Sequence, residues 1–327
     1  MRRSLLLSTV FTLFTLAACS SDPPAPSPQP SGTAPVTPAN PDGTPKATPT
    51  ATTTTTPTPP KPEPEWVAPK VDTTSSGCGT ARADAVHVDL TTPGGRTYHV
   101  WGPTGYDPTK TYPVVMVFHG IQASGAAHES WFQMEHYTQN EAFVVYPDAA
   151  GANAYWDVDG DTDLVFFDEM IKQLGETYCI NPSRVLGFGF SYGGHFADHL
   201  GCARAGYVKA IAIGDGGPGG PALHCGRLPV LITTRVLDTN EYEAYGKNAF
   251  NRWMTLDSCT ADSDKTLQSD NGEDMGYCTT QRSCKNPGGL TFCEDPSAFP
   301  AGSPPDWNHT VREYYRAYTY SWFKALP

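Results

Sequence analysis

The chain has 327 residues, with 34 acidic against 22 basic side chains and a formal charge of −12. No block of lysine or arginine lies beyond its first residues, which argues against nucleic acid as a partner; the acidic balance otherwise speaks only for solubility. The apolar run Leu5–Ala18 is shorter than the roughly 20 residues a membrane-spanning helix needs.

That run follows Met1-Arg2-Arg3 and ends in Leu16-Ala17-Ala18-Cys19. A charged start, an apolar stretch and small residues before a cleavage point read as an export signal over residues 1–18. The ending resembles a bacterial lipobox, which implies that Cys19 becomes a lipidated N-terminus. Residues 19–66 include "TPKATPTATTTTTPTPPKPEPEW". This stretch has too little apolar surface to offset the entropy of ordering it, so it is expected to stay extended as a tether. At about 3.1 Å per residue, its reach exceeds roughly 100 Å. The remainder, 67–327, suits one domain.

Within that body, "AVHVDL" (Ala85–Leu90) and "RTYHVWG" (Arg96–Gly102) alternate around Thr-Thr-Pro-Gly-Gly, predicting an antiparallel hairpin. "YPVVMVFHG" (Tyr112–Gly120), "AFVVYPDA" (Ala142–Ala149), "RVLGFGF" (Arg184–Phe190), "VKAIAIG" (Val208–Gly214) and "LPVLITT" (Leu228–Thr234) are continuous apolar runs. Such runs suit strands buried on both faces. Between them, "DLVFFDEMIKQLGETY" from Asp163 places Leu164, Phe167, Met170, Ile171 and Leu174 on one helical face, with Asp163 as the expected N-cap. Further helices are predicted in "SYGGHFADHLGC" from Ser191, "YEAYGKNAFNRWMTL" from Tyr242 and "TVREYYRAYTYSWFKAL" from Thr310. Strands alternating with helices predict an α/β architecture: a mostly parallel sheet covered on both faces, with the hairpin at one edge.

The chemistry centres on Gly189-Phe190-Ser191-Tyr192-Gly193. A strand, G-x-S-x-G and a helix form the context of a nucleophile elbow, where small neighbours permit a tight turn that exposes the serine. The helix N-terminus behind it favours developing negative charge. An oxyanion hole in this arrangement takes one N–H from the residue after the nucleophile, Tyr192, and another from a loop after an earlier strand. Ile121, after His119-Gly120, is the expected second donor, with Gly120 or Gln122 as alternatives; His119 itself is read as shaping the loop. Asp238 lies just past an apolar strand, where site residues of α/β sheets gather, with Glu241 as the fallback acid. His309 is the histidine that follows this acid and precedes the last helix. Ser191, Asp238 and His309 thus occur in the order of the α/β-hydrolase fold.

With these residues in place, the body resembles the esterase group that holds feruloyl esterases, acetylxylan esterases and polyhydroxybutyrate depolymerases. The matching pieces are "GCG" (Gly77–Gly79), "YDPTKTYPVVMVFHG", "FVVYPDA", "YCINPSRVLGFGFSYGG" and the closing histidine with "SWF". The resemblance implies a serine carboxylesterase that cuts plant polysaccharide esters through an acyl-enzyme, with polyester cleavage as the alternative substrate class. An inactive surface binding protein is the alternative of another class, disfavoured by the intact Ser191, Asp238 and His309. Two stretches depart from the group: Thr234-Arg235 replaces a His-Gly pair before the acid, and Trp307 precedes His309 where the group has Trp-Pro after it.

If Cys19 is lipidated, Cys78, Cys179, Cys202, Cys225, Cys259, Cys278, Cys284 and Cys293 remain. An even set in an exported chain reads as disulfides, with the pairing left open. "WDVDGDTD" (Trp156–Asp163) alternates Asp157, Asp159, Asp161 and Asp163, but Thr162 and Asp168 stand where an EF-hand loop needs glycine and glutamate. It is read as a solvated, helix-capping loop. Gln122, Trp131 and Trp156 are candidates for substrate contact, the tryptophans by stacking on a ring. No metal or organic cofactor is expected. The expected partners are ester-bearing polysaccharide or polyester fragments, with membrane contact through the N-terminal lipid only and a monomeric body.

Overall fold

The computed structural model describes residues 66–82, 87–151, 153–221, 225–241, 243–270, 272–286, 288–298 and 308–327. The expected export signal, Cys19, the expected tether up to residue 65 and Trp307 lie outside the described residues.

In chain order the elements are β1 (Val88–Thr91), β2 (Thr97–Trp101), β3 (Tyr112–Phe118), α1 (Gly125–Phe132), α2 (Met134–Thr138), β4 (Phe143–Pro147), α3 (Thr162–Thr177) and β5 (Ile180–Phe190). Then follow α4 (Tyr192–Ala203), β6 (Ala210–Gly214), β7 (Val230–Arg235), α5 (Glu243–Leu256), β8 (Ser263–Asp270), β9 (Glu273–Gln281), β10 (Leu290–Asp295) and α6 (Glu313–Ala325). The strands form one sheet in the order β1-β2-β4-β3-β5-β6-β7-β10-β9-β8. Its middle, from β4 to β10, is parallel. The β1–β2 hairpin adds antiparallel strands at one edge, as its alternation predicts, and β9–β8 does so at the other.

The continuous apolar runs are the central strands, buried because helices cover both faces. On one face Phe166, Phe167, Leu200 and Trp253 of α3, α4 and α5 pack with Met116, Phe118 and Ile211. On the other, Phe132, Met134, Tyr315 and Phe323 of α1, α2 and α6 pack with Val115, Leu186 and Leu231. Four disulfides join Cys78 to Cys179, Cys202 to Cys225, Cys259 to Cys284 and Cys278 to Cys293. The first ties the segment before the hairpin to the start of β5; the last clips β9 to β10 at facing positions. By restricting the unfolded chain, each is worth about 2–4 kcal/mol.

Asp163 is not the cap of α3. Asp161 holds that position, and Asp163, in the first turn, is buried with its carboxylate paired to Arg96 and accepting the N–H of Asp157. Asp157 in turn accepts the N–H groups of Gly160 (2.8 Å) and Thr162 (3.0 Å). The acidic loop therefore folds two of its four carboxylates, those of Asp157 and Asp163, onto its own backbone and leaves Asp159 and Asp161 exposed, and Asp157's pKa is lowered because those N–H groups outweigh its partial burial.

Candidate active site

Strand β5 ends at Phe190 and α4 begins at Tyr192, leaving Ser191 alone at the bend with φ +54° and ψ −123°. A non-glycine residue held there costs on the order of 1–3 kcal/mol. The flanking glycines explain how the turn closes. A Cβ on Gly189 would sit 1.8 Å from the carbonyl oxygen of Gly193, and one on Gly193 would sit 2.2 Å from that of Phe118. The bend is also tied to β6, since Ser191 N–H donates to Gly214 O at 2.9 Å.

Asp238 lies three residues past β7 and is buried. Its Oδ2 is 2.7 Å from Nδ1 of His309, while Oδ1 accepts the N–H groups of Asn240 (2.8 Å) and Glu241 (3.1 Å). A carboxylate only accepts, so His309 carries its proton on Nδ1 and turns a lone pair outward at Nε2. The His309 ring rests 4.8 Å from that of Phe190, the residue before Ser191. Val311 lies over the end of β6, where a Cβ on Gly214 would come within 2.3 Å of its Cγ2. The loop bearing His309 thus crosses the strand ends beside the elbow. Ser191 Oγ makes no hydrogen bond among the described residues; such bonds commonly tighten only once substrate is bound.

Glu241, the fallback acid, points elsewhere: its Oε1 is 3.3 Å from Nε2 of His195. The loop after β3 lies against the nucleophile, with the Cβ position of Gly120 only 3.3 Å from Ser191 Cβ. Ile121 and Gln122 follow it in the exposed turn, Gln122 at φ +58°. His119 is buried and braces this loop. Its Nε2 accepts the N–H of Ala149 (3.1 Å), which leaves Nδ1 to donate to Gly120 O (2.7 Å). Burial lowers its pKa, in keeping with the neutral ring those bonds require.

The two candidate tryptophans separate. Trp131 is 39% exposed and packs edge-on against Phe190 at 5.3 Å, one ring away from His309. Trp156 is 2% exposed, stacked on Phe196 and donating to His119 O at 2.8 Å. It supports the loop from behind and presents no face to a substrate, which corrects the expectation from sequence. Tyr192, the residue after Ser191, packs edge-on against the exposed Tyr155 at 5.6 Å.

A polar layer next to Asp238, largely buried, carries no motif in the sequence. Asp215, just past β6 at φ +42°, accepts the N–H of Arg235 at 2.7 Å. Arg235 and Arg312 both donate to Ser297, whose own N–H is held by Asp295 (3.0 Å). Burial, reinforced by the nearby Asp238 and Asp295, pushes the Asp215 carboxyl well above the usual range. The available signal was its position directly after a strand, in "AIGDGG".

No protein-family model matches the chain. It is 32% identical over 155 residues to "Probable feruloyl esterase C" of Aspergillus clavatus, covering 45% of this chain and 54% of that protein. It is 31% identical over 119 residues to the bifunctional acetylxylan esterase/xylanase XynS20E of Neocallimastix patriciarum, covering 36% of this chain and 17% of that one. The chain thus spans about half the length of the feruloyl esterase it matches. Among solved structures, the acetyl xylan esterase from Aspergillus awamori superposes with a TM-score of 0.56 at 13% identity, over 73% of this chain and 98% of that one. The fold is that of the α/β-hydrolases, and the sequence relatives are esterases.

Proposed function

We propose that the protein is a serine carboxylesterase acting on ester-substituted plant polysaccharides or their fragments. The observation that carries the reading is the 2.7 Å Asp238–His309 hydrogen bond beside a serine held at positive φ between strand and helix. In this reading His309 Nε2 takes the proton of Ser191 as Oγ attacks the ester carbonyl. Asp238 keeps the imidazole in the required tautomer and stabilises the imidazolium. The N–H groups of Tyr192 and Ile121 receive the oxyanion. His309 then protonates the leaving alcohol, and water, deprotonated by the same base, releases the acid from Ser191. No step calls for a metal or an organic cofactor.

The leaving alcohol has to depart on the His309 side, because His309 supplies its proton. Trp131 is an exposed aromatic one ring away from His309, so it is the surface on which a sugar ring stacks. Names of the sequence relatives support feruloyl or acetyl esters as the bond cut. The four disulfides support export, and the Leu16–Cys19 ending supports a lipid anchor joined to the body by the proline-rich tether.

Initial rates on methyl ferulate, acetylated xylan and hydroxybutyrate oligomers, with Ser191→Ala as the blank, test the reading. Ser191-dependent hydrolysis of the first or second is expected. Hydrolysis confined to the hydroxybutyrate oligomers would move the protein to the polyester class, and none above the blank would end the esterase reading.

A further inference from the structure

A second histidine–carboxylate pair sits beside the first. His195 lies one turn after Ser191 in α4, half-buried, with both ring nitrogens facing oxygens. Nδ1 is 2.8 Å from Pro218 O and Nε2 is 3.3 Å from Glu241 Oε1. A carbonyl and an ionised carboxylate both only accept, and a neutral imidazole has a single N–H. Only the imidazolium satisfies both oxygens. The other oxygen, Glu241 Oε2, is buried and accepts no hydrogen bond among the described residues, so this carboxylate depends on His195.

Glu241 is also the end of the turn that holds Asp238, since its N–H donates to Asp238 Oδ1 at 3.1 Å. The contact with His195 therefore joins the acid's turn to the nucleophile's helix. Pro218 O adds the glycine-rich loop after β6 to the same clamp. The other groups facing His195 are Asp198 of α4, the Tyr192 ring at 5.8 Å and the Tyr245 ring of α5 at 6.1 Å. Asp198 is itself taken up by Arg252, Trp253 and the N–H of Gly219.

We propose that protonated His195 is a positioning residue: it latches the Asp238 turn to the nucleophile helix through Glu241, and losing its proton slackens the turn and slows turnover on the alkaline side. The proposal rests on Asp238 and His309 acting as above. Burial disfavours the charge on His195, but the hydrogen bonds to Glu241 and Pro218 and the attraction of Glu241 and Asp198 outweigh it and raise the pKa above the ordinary histidine value. A raised histidine pKa gives stability that is full below the unfolded value, about 6.5, and is lost as pH rises through the folded value. Turnover then falls on the alkaline side as His195 loses its proton.

The test is Glu241→Gln. A glutamine amide accepts from the imidazolium and donates to Nε2 of the neutral ring, so the latch no longer needs the proton. In the wild type, kcat on methyl ferulate, corrected with the Ser191→Ala blank, should fall roughly three- to tenfold as pH rises through the raised His195 value, with KM little changed. In Glu241→Gln that fall should be absent, because the amide holds the neutral ring as well as the charged one. A wild type without the alkaline fall, or a variant with the same fall, overturns the proposal. The His195 Cε1–H chemical shift, followed against pH by NMR in Ser191→Ala and again with Glu241→Gln added, reads the latch without activity. A raised pKa that drops in the double variant supports the latch, and a ring already neutral at pH 7 overturns it. If no substrate is hydrolysed at all, the esterase reading fails, while the titration still decides whether His195 is clamped as an imidazolium.

Discussion

Replacing Asp238 with asparagine tests the candidate triad at its most informative atom. In the native site Oδ1 accepts two backbone N–H groups, from Asn240 and Glu241. An asparagine must keep its oxygen there, because an NH2 group would face two donors. The amide NH2 is thereby forced to the Oδ2 position, 2.7 Å from His309 Nδ1 in the native structure. It now donates to Nδ1, and His309 shifts its proton to Nε2, where the base needs a lone pair. The serine loses its proton acceptor, and the nascent imidazolium loses its counter-charge. A wrong-tautomer triad of this kind costs about 10⁴-fold in kcat, or roughly 5 kcal/mol of transition-state stabilisation. The assay is kcat on methyl ferulate for wild type and Asp238→Asn, with circular dichroism to show that the fold is kept. A variant within about tenfold of wild type would refute the tautomer argument, since a group that fixes the base is worth far more than that.

Trp131→Ala should raise KM for esters on an oligosaccharide by roughly three- to tenfold, the scale of one aromatic contact, and leave methyl ferulate, which lacks the sugar, nearly unchanged; equal effects on both would remove the assigned sugar side. Asp257 is buried, accepts from Asn286 Nδ2 at 2.6 Å, and burial pushes its carboxyl up to about 7. For an acid raised on folding, stability falls as pH climbs from the unfolded value, about 3.9, through the folded one. Between pH 5 and pH 8 this group costs roughly 3 kcal/mol. Urea midpoints for wild type and Asp257→Asn should show that loss shrinking in the variant, and an unchanged loss would count against the burial argument.

The sheet was legible where tertiary demands agree with local pattern. The central strands are apolar end to end because both faces are covered, and the β1–β2 hairpin alternates because it lies at the edge. The β8–β9 hairpin was not legible, since Ser263–Asp270 is almost wholly exposed and carries no apolar alternation. At the site, the elbow was readable because its close contacts admit only glycine at positions 189 and 193. The choice between Asp238 and Glu241 was not, because both sit in one turn and only side-chain direction separates them. Trp156 is ambiguous in the sequence for a related reason: a loop tryptophan stacks on substrate or on its own core, and its neighbour Phe196 is 40 positions away in the chain. The His195–Glu241 contact, between residues 46 apart, left no local trace.

The proposed chemistry stands or falls with Ser191 as a nucleophile activated by His309 and Asp238. Intact-protein and peptide mass spectrometry after brief exposure to a fluorophosphonate reads that activation at the residue itself. One adduct is expected, located on Ser191, with labelling slowed by orders of magnitude in His309→Ala and in Asp238→Asn. An unlabelled wild type, an adduct on another residue, or equal labelling in all three proteins would contradict it.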